Sequence, residues 1–171
     1  MIAIFSDTHS SDDHELEGKA LEAARNAETV IHAGDFISTA ALEAFRNECN
    51  RLFAVHGNAD SPAVKDRLPT ARVVEAGEVR FAVTHRREGG GTGLAMFGRS
   101  RDADIVVSGH SHRPTVVETD DVVLLNPGSH AQPRGNRPGF AVLERDGNGV
   151  SGEIREPDGT VLETISVATR E

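Results

Sequence analysis

Met1-Ile2-Ala3-Ile4-Phe5 is an unbroken apolar run that gives way at once to Ser6-Asp7-Thr8-His9-Ser10. Such a run reads as a buried strand leaving into a polar turn. Leu16, Ala20, Leu21, Ala24 and Ala27 then recur at helical spacing, which predicts a helix over about residues 14–26 with Asp13 as its cap. Thr29-Val30-Ile31-His32-Ala33 predicts a second buried strand, ending at Gly34-Asp35. A helix opening at Thr39, with Leu42 and Phe45 facing inward, leads to a third strand, Leu52 to Val55, which ends at His56-Gly57-Asn58. Strand alternating with helix at this pace predicts a parallel sheet with right-handed crossovers.

The pattern changes after residue 70. Arg72 to Ala76 and Glu78 to Thr84 predict two strands joined at Gly77-Glu78, the second ending at His85. Gly89-Gly90-Gly91-Thr92-Gly93 predicts a flexible, exposed loop. A helix over about Thr92 to Arg101 precedes a strand from Asp104 to Ser108, which leaves into Gly109-His110-Ser111-His112. Thr115 to Glu118 and Val122 to Leu125 form a hairpin across Asp120-Asp121, and Asn126 to Pro138 is a Pro- and Gly-rich loop. Phe140 to Arg145, Val150 to Arg155 and Val161 to Val167 close the chain as a meander. The expected architecture is a mainly parallel first sheet, a second sheet of hairpins packed against it, and helices outside. It is an α/β protein whose single domain spans residues 1–171.

Composition narrows the function classes. At 37% hydrophobic and 26% charged residues, the chain suits a soluble globular fold. No apolar stretch is long enough for a membrane span, and Asp7 follows the first run too soon for a signal peptide. Cys49 is the only cysteine, which excludes a disulfide within the chain and fits a reducing cytoplasm. The net charge of -9 argues against stable nucleic-acid binding or an anionic membrane surface, while leaving room for a phosphorylated substrate at a metal-charged site. Exposed hairpin edges in the second sheet are candidates for pairing between copies of the chain as a homo-oligomer.

The candidate chemistry lies where the strands end. Asp7 and His9 follow the first strand, Asp35 the second and Asn58 the third; His85 follows the strand ending at Thr84, and His110 and His112 the one ending near Val107. Sites in α/β sheets form outside the carboxyl ends of strands. Taken singly, Asp7 suits a turn cap, Asp35 and Asn58 suit Asx turns, and His85 suits a satisfied core histidine. Taken together, seven oxygen and nitrogen donors on five strand ends point to metal. Seven exceed the needs of one ion, so two metals sharing a carboxylate bridge are expected, with Asp35 the bridge. Carboxylate, amide and imidazole donors without Cys favour Mn(II), Fe(II), Zn(II) or Ni(II) over Mg(II) or Ca(II).

Asp7-Thr8-His9, Gly34-Asp35, Gly57-Asn58, His85 and Gly109-His110-Ser111-His112, in that order from Met1 to Gly139, resemble the calcineurin-like metallophosphoesterases. Asn126-Pro127-Gly128-Ser129 with Arg134 after it resembles the small single-domain bacterial and archaeal phosphodiesterase branch, to which the scaffold subunit of the retromer coat is structurally related. The resemblance implies a four-layer α/β/β/α sandwich of two mixed sheets. It also implies a phosphodiesterase with a phosphodiester-containing small molecule as substrate. Asp7, His9 and His112 would hold one metal, Asn58, His85 and His110 the other, and Asp35 would bridge them, a bridging hydroxide attacking phosphorus in line. Asp35, Asn58 and His85 are thereby implied in catalysis. The alternative is a metal-binding or metal-free interaction module of the same fold with little activity.

Two positions depart from the family. Ala59 stands where many members have a His that serves the leaving group; such a general acid contributes about 10²–10⁴-fold. His130 and Asp60 are candidates for that role, or else loop residues. Arg86 stands where the family has Gly after the ligand His. Arg86 and Arg87 either contact a substrate phosphate or form a solvated pair of charges. Asn58, Arg86 and Ser129 are the candidate substrate contacts. Asn126 to Ser129 reads either as backbone amides facing phosphate or as a tight turn. His32 reads as a core histidine close to Asp35, His14 as exposed, and His56 as packing or substrate-side.

Overall fold

In the computed structural model, which describes residues 1–147 and 149–169, strands β1 (Ile2–Phe5), β2 (Thr29–His32) and β3 (Leu52–Ala54) run parallel. Helices α1 (Gly18–Asn26) and α2 (Thr39–Glu48) connect them. A further helix, α3 (Pro62–Arg67), was not foreseen from the sequence; Ser61 caps it and Pro62 opens it. Beyond it come β4 (Ala71–Ala76), β5 (Val79–Thr84), α4 (Gly90–Arg99), β6 (Ile105–Val107), β7 (Thr115–Glu118), β8 (Val123–Asn126), β9 (Phe140–Asp146), β10 (Gly149–Arg155) and β11 (Val161–Ala168).

Two mixed sheets result, in the orders β11-β10-β9-β1-β2-β3 and β4-β5-β6-β8-β7. Period-2 alternation sorts their side chains between layers. Ile2, Ile4 and Ile31 pack inward against Phe81, Val83, Ile105, Val107 and Leu125 of the facing sheet. On the other side of β1, Ala3 and Phe5 pack with Ala20, Ala24, Leu42 and Phe45 of the helices. Ala82, Val106 and Leu124 cover Ala95 and Phe97 of α4 on the outer face of the second sheet. Three cores between four layers make the α/β/β/α sandwich. No helix among the described residues is long and apolar enough to cross a membrane.

Three expectations need correction. The closing meander joins the first sheet, not the second: β9 pairs antiparallel with β1, Ile4 opposite Ala141. The first helix starts at Gly18, not near His14, because Glu15 (φ 56°) and Gly18 (φ 53°) are left-handed and cannot lie inside a helix. Asp13 therefore caps no helix, and Lys19 N–H donates instead to the Pro157 carbonyl at 2.8 Å. The Gly-rich stretch, though exposed, is the first turn of α4, with Gly89 as a left-handed N-cap. Burial of Ala95, Phe97 and Gly98 along that helix overrides the poor helix propensity of its glycines.

Candidate metal centre

The polar residues that follow β1, β2, β3, β5 and β6 meet at one end of the sandwich. Backbone bonds tie the loops together across the sheets. Asp7 N–H donates to Gly34 O at 2.9 Å, His9 N–H to Asp35 O at 3.0 Å and Gly109 N–H to His85 O at 3.0 Å. Two glycines permit the close approach. A Cβ on Gly57 would lie 2.2 Å from Asp35 Oδ1, and one on Gly109 would lie 2.0 Å from Ser6 Oγ and 2.6 Å from Asp7 Oδ2. Nine described non-glycine residues have positive φ, and five of them are expected ligands: Asp7, His9, Asp35, His110 and His112. Left-handed backbone costs roughly 1–3 kcal/mol per residue and persists where the surroundings enforce it. Here it turns each side chain back toward the centre.

Two overlapping groups form, Asp7-His9-His112 and Asp7-Asp35-His85. Asp35 Oδ2 lies 3.3 Å from His9 Nε2 and 3.2 Å from His85 Nε2. Asp7 Oδ1 lies 3.3 Å from His112 Nε2, 3.5 Å from His9 Nε2 and 3.9 Å from His85 Nε2. Asp35 thus stands between a ligand of each expected metal, and Asp7 shares that central place. Asn58 and His110 stand at the exposed rim, with His110 Nδ1 3.1 Å from Asn58 Oδ1.

The residues behind these ligands set their orientation. Ser6 Oγ (2.7 Å) and His110 N–H (3.0 Å) both donate to Asp7 Oδ2, leaving Oδ1 to face the centre. His85 Nδ1 donates to Ala33 O at 2.8 Å and His112 Nδ1 donates to Gln132 O. A carbonyl can only accept, so both rings keep Nε2 for the centre. Ala59 N–H donates to Asp35 Oδ1 at 2.9 Å. Asp7 Oδ1, His9 Nε2 and His85 Nε2 are buried without a hydrogen-bond partner. Buried donors and acceptors are rarely left so, and a cation among them satisfies all three. The cluster fits divalent metal binding.

The chain holds this charge in a particular way. Burial works to raise the Asp7 carboxyl, but the His112 and His9 rings that face it, with the His85 charge, outweigh it and keep the group well below the usual carboxylate range. Asp35 is held low against burial by His85 and His9 in the same manner. Burial disfavours a proton on His9, yet Asp35 and Asp7 push it up to about 9. His85 is likewise raised, by Asp35 and Asp7 against burial. The metal-free His9 ring is therefore protonated at pH 6.5, the His85 ring holds its proton more firmly than a free imidazole, and a metal must expel such protons. Calorimetric titration of Mn(II) in buffers of different ionisation enthalpy should show proton release at that pH. Apparent affinity should rise toward pH 9. Binding without proton release would remove His9 and His85 from the ligand set.

Other expected residues lie elsewhere. Ser129 is fully buried; its hydroxyl donates to Asp7 O at 2.7 Å and accepts from Ala131 and Gln132 N–H, so it sits behind Asp7 and faces no substrate. Asn126 is likewise structural. Its Nδ2 donates to Gly109 O and Ser111 Oγ, each at 3.0 Å, and its Oδ1 accepts from Gly128 N–H in an Asx turn. Neither candidate for the missing acid is a free loop residue. His130 is buried against Phe5, its Nε2 donating to His14 O, and burial pushes its ring down to about 4. Asp60 accepts three backbone N–H bonds and serves as a brace. His32 is a core residue: Nδ1 accepts from Gly34 N–H at 3.0 Å, so Nε2 donates to Thr8 Oγ1 at 2.9 Å. His14 is half-buried, with Nδ1 accepting from Leu16 N–H. Arg86 is exposed beside His85, while Arg87 stacks its guanidinium over Phe97, 4.2 Å from the ring centre. Ser6 and Gln132 escaped the sequence reading. Adjacency to Asp7 signals the first, and nothing local signals the second.

Comparison with known proteins agrees with this geometry. A 174-residue alignment with a probable metallophosphoesterase of Methanothermobacter thermautotrophicus shows 32% identity and covers 97% of this chain and 98% of that one. A phosphodiesterase of Methanocaldococcus jannaschii is 31% identical over 74% of this chain and 82% of its own. Vacuolar Protein Sorting 29 from Cryptosporidium parvum shares the fold, with a TM-score of 0.81 at 21% identity over 98% of this chain and 97% of that chain. Residues 1–148 match the calcineurin-like phosphoesterase superfamily domain, and the chain belongs to that family.

Proposed function

We propose that the chain is a two-metal phosphodiesterase, with Asp7, His9 and His112 around one ion, Asn58, His85 and His110 around the other, and Asp35 between them. The observation that carries the reading is that Asp7 Oδ1, His9 Nε2 and His85 Nε2, buried and unpartnered, belong to two donor groups that overlap at Asp7. Two divalent ions there supply a water made nucleophilic at neutral pH and positive charge for phosphate oxygens. Mn(II) is the preferred occupant, with Ni(II), Fe(II) and Zn(II) as competitors, given a mixed oxygen and imidazole donor set.

Asp35, Asn58 and His85 border the reacting phosphate in this reading. The exposed methyl of Ala59 supplies no proton to the leaving group. With Asp60 and His130 engaged elsewhere, an alkoxide leaves unassisted by either. Turnover is therefore modest and favours acidic leaving groups, by the general-acid share of about 10²–10⁴-fold. The likeness to a phosphodiesterase supports diesters over monoesters. The test is kinetics on chelator-stripped protein with aryl phosphodiester and aryl phosphomonoester, each with Mn(II), Ni(II), Zn(II) and Mg(II). Mn- or Ni-dependent diester cleavage exceeding monoester cleavage is expected. Folded protein with no turnover in any metal would instead favour the second reading, an interaction module, to which the shared fold of Vacuolar Protein Sorting 29 lends support.

A further inference from the structure

A cavity of about 370 Å³ opens beside the metal centre, lined by His56, Asn58, Lys65, Thr70, His85 and Arg86 among others. Asn58 and His85 belong both to this cavity and to the candidate ligand set, so the cavity adjoins the metal centre. Its electrostatics run against the rest of the molecule. The chain carries 27 acidic and 18 basic residues, yet no Asp or Glu among the described residues lines this cavity. The cavity at the β4–β5 turn differs, with Glu75, Glu78, Asp102 and Asp104 against one cation, Arg80.

Two of the three cations that line it, Lys65 and Arg86, are also free to act. Eight of the fifteen described arginines are ion-paired, such as Arg25 with Glu48 and Arg99 with Asp121. Lys65 and Arg86 have no carboxylate within ion-pair distance among the described residues. The Lys65 ammonium lies 3.4 Å from Asn58 O, which keeps it on the metal-facing side of α3. Arg87 also lines the cavity, but its guanidinium is stacked over Phe97. A flexible ammonium and a guanidinium fork, both unpaired and flanking one concavity, offer charge-assisted hydrogen bonds to an anion.

We propose that this cavity is an anion subsite, which seats a second phosphate of the substrate while the scissile phosphate lies at the metal centre. The substrate class is then a phosphodiester that carries a further phosphate on one arm. This rests on the phosphodiesterase reading for the scissile group, and the subsite itself is tested by binding, independently of turnover.

Ethyl phosphate and ethylene glycol bisphosphate would be titrated calorimetrically into the Mn(II)-loaded full chain. The bisphosphate should bind about ten- to a hundredfold more tightly, the range expected of charged hydrogen bonds, with the advantage shrinking as salt rises. In the Lys65→Ala/Arg86→Ala variant, where both lost side chains are exposed, the ratio of the two affinities should fall to near unity. Equal affinities in the wild type overturn the subsite, as does an advantage that survives the double substitution, which would mean simple chelation of the metals. The p-nitrophenyl esters of ethyl phosphate and of 2-phosphoethyl phosphate supply the kinetic arm, where the phosphorylated arm should lower KM in the wild type alone. Hydrolysis of both without preference overturns the subsite. Selective binding without hydrolysis of either retains the subsite and overturns the phosphodiesterase reading.

Discussion

Asp35→Ala should abolish most metal-dependent turnover, by about 10³-fold or more, while leaving the protein folded. Loss of a single preorganised electrostatic group at a reacting centre costs about 10²–10³ in kcat. Asp35 does more than one such group, because its Oδ2 lies within 3.3 Å of both His9 Nε2 and His85 Nε2. Without that carboxylate, two imidazoles from different sides of the site lose the negative charge between them, and two cations would face each other unscreened. Metal content should therefore fall together with turnover. Elemental analysis of the purified variant separates this from a purely catalytic loss. Asp35→Asn makes the companion variant. Its side-chain oxygen still accepts from Ala59 N–H, the bond seen at 2.9 Å, but it carries no charge. If charge between the rings is what matters, Asn should be nearly as damaging as Ala. Wild-type activity in either variant would remove Asp35 from the centre of the mechanism and leave Asp7, whose Oδ1 faces the same two rings and His112 as well, as the shared ligand.

The legible part of this molecule is the part written in short windows. Met1-Ile2-Ala3-Ile4-Phe5 followed by Ser6-Asp7 carries its own strand and its own turn, and so do Thr29 to Asp35 and Asp104 to His110. Each candidate ligand is within a few residues of the strand that aims it, so parallel order alone brings the set to one end. Sheet membership is not written that way. Phe140 to Asp146 pairs with β1, whose nearest strand residue is 135 positions earlier, and no local feature distinguishes that partner from the preceding hairpin. Helix ends failed for a related reason. Leu16 keeps its buried place in the apolar periodicity, yet Glu15 and Gly18 are left-handed, since the segment must reach the Pro157 carbonyl. Residues whose partners are backbone groups of distant loops were the least readable. Ser129 and Asp60 look like loop residues in sequence, because the amides and carbonyl they serve carry no side-chain signature.

Asp60 carries the second large prediction. Its Oδ2 accepts from Asp35 N–H at 3.0 Å and Gly57 N–H at 2.8 Å, and its Oδ1 accepts from Ile37 N–H at 2.7 Å. One buried carboxylate thus fixes the loop after β2 and the loop after β3, the two segments that present Asp35 and Asn58. In Asp60→Ala three amides lose their acceptor inside a site where water is largely excluded. Each unsatisfied buried group costs about 1–3 kcal/mol, and relaxation recovers part of it, so a net loss of about 3 kcal/mol is expected. For a chain of 171 residues that lowers Tm by about 6–12 °C. Metal affinity should fall by about 10–100-fold, the usual effect of removing a group that orients ligands. Asp60→Asn should be intermediate, because its single oxygen can still serve Asp35 and Gly57 while its amide opposes Ile37 N–H. A proton-donating role for Asp60 would give another pattern: unchanged Tm and metal affinity, with turnover lost only for poor leaving groups. Melting, metal titration and a leaving-group series on the same two variants decide between brace and acid. A graded loss of stability and metal affinity, roughly equal for all leaving groups, is the outcome the three hydrogen bonds demand.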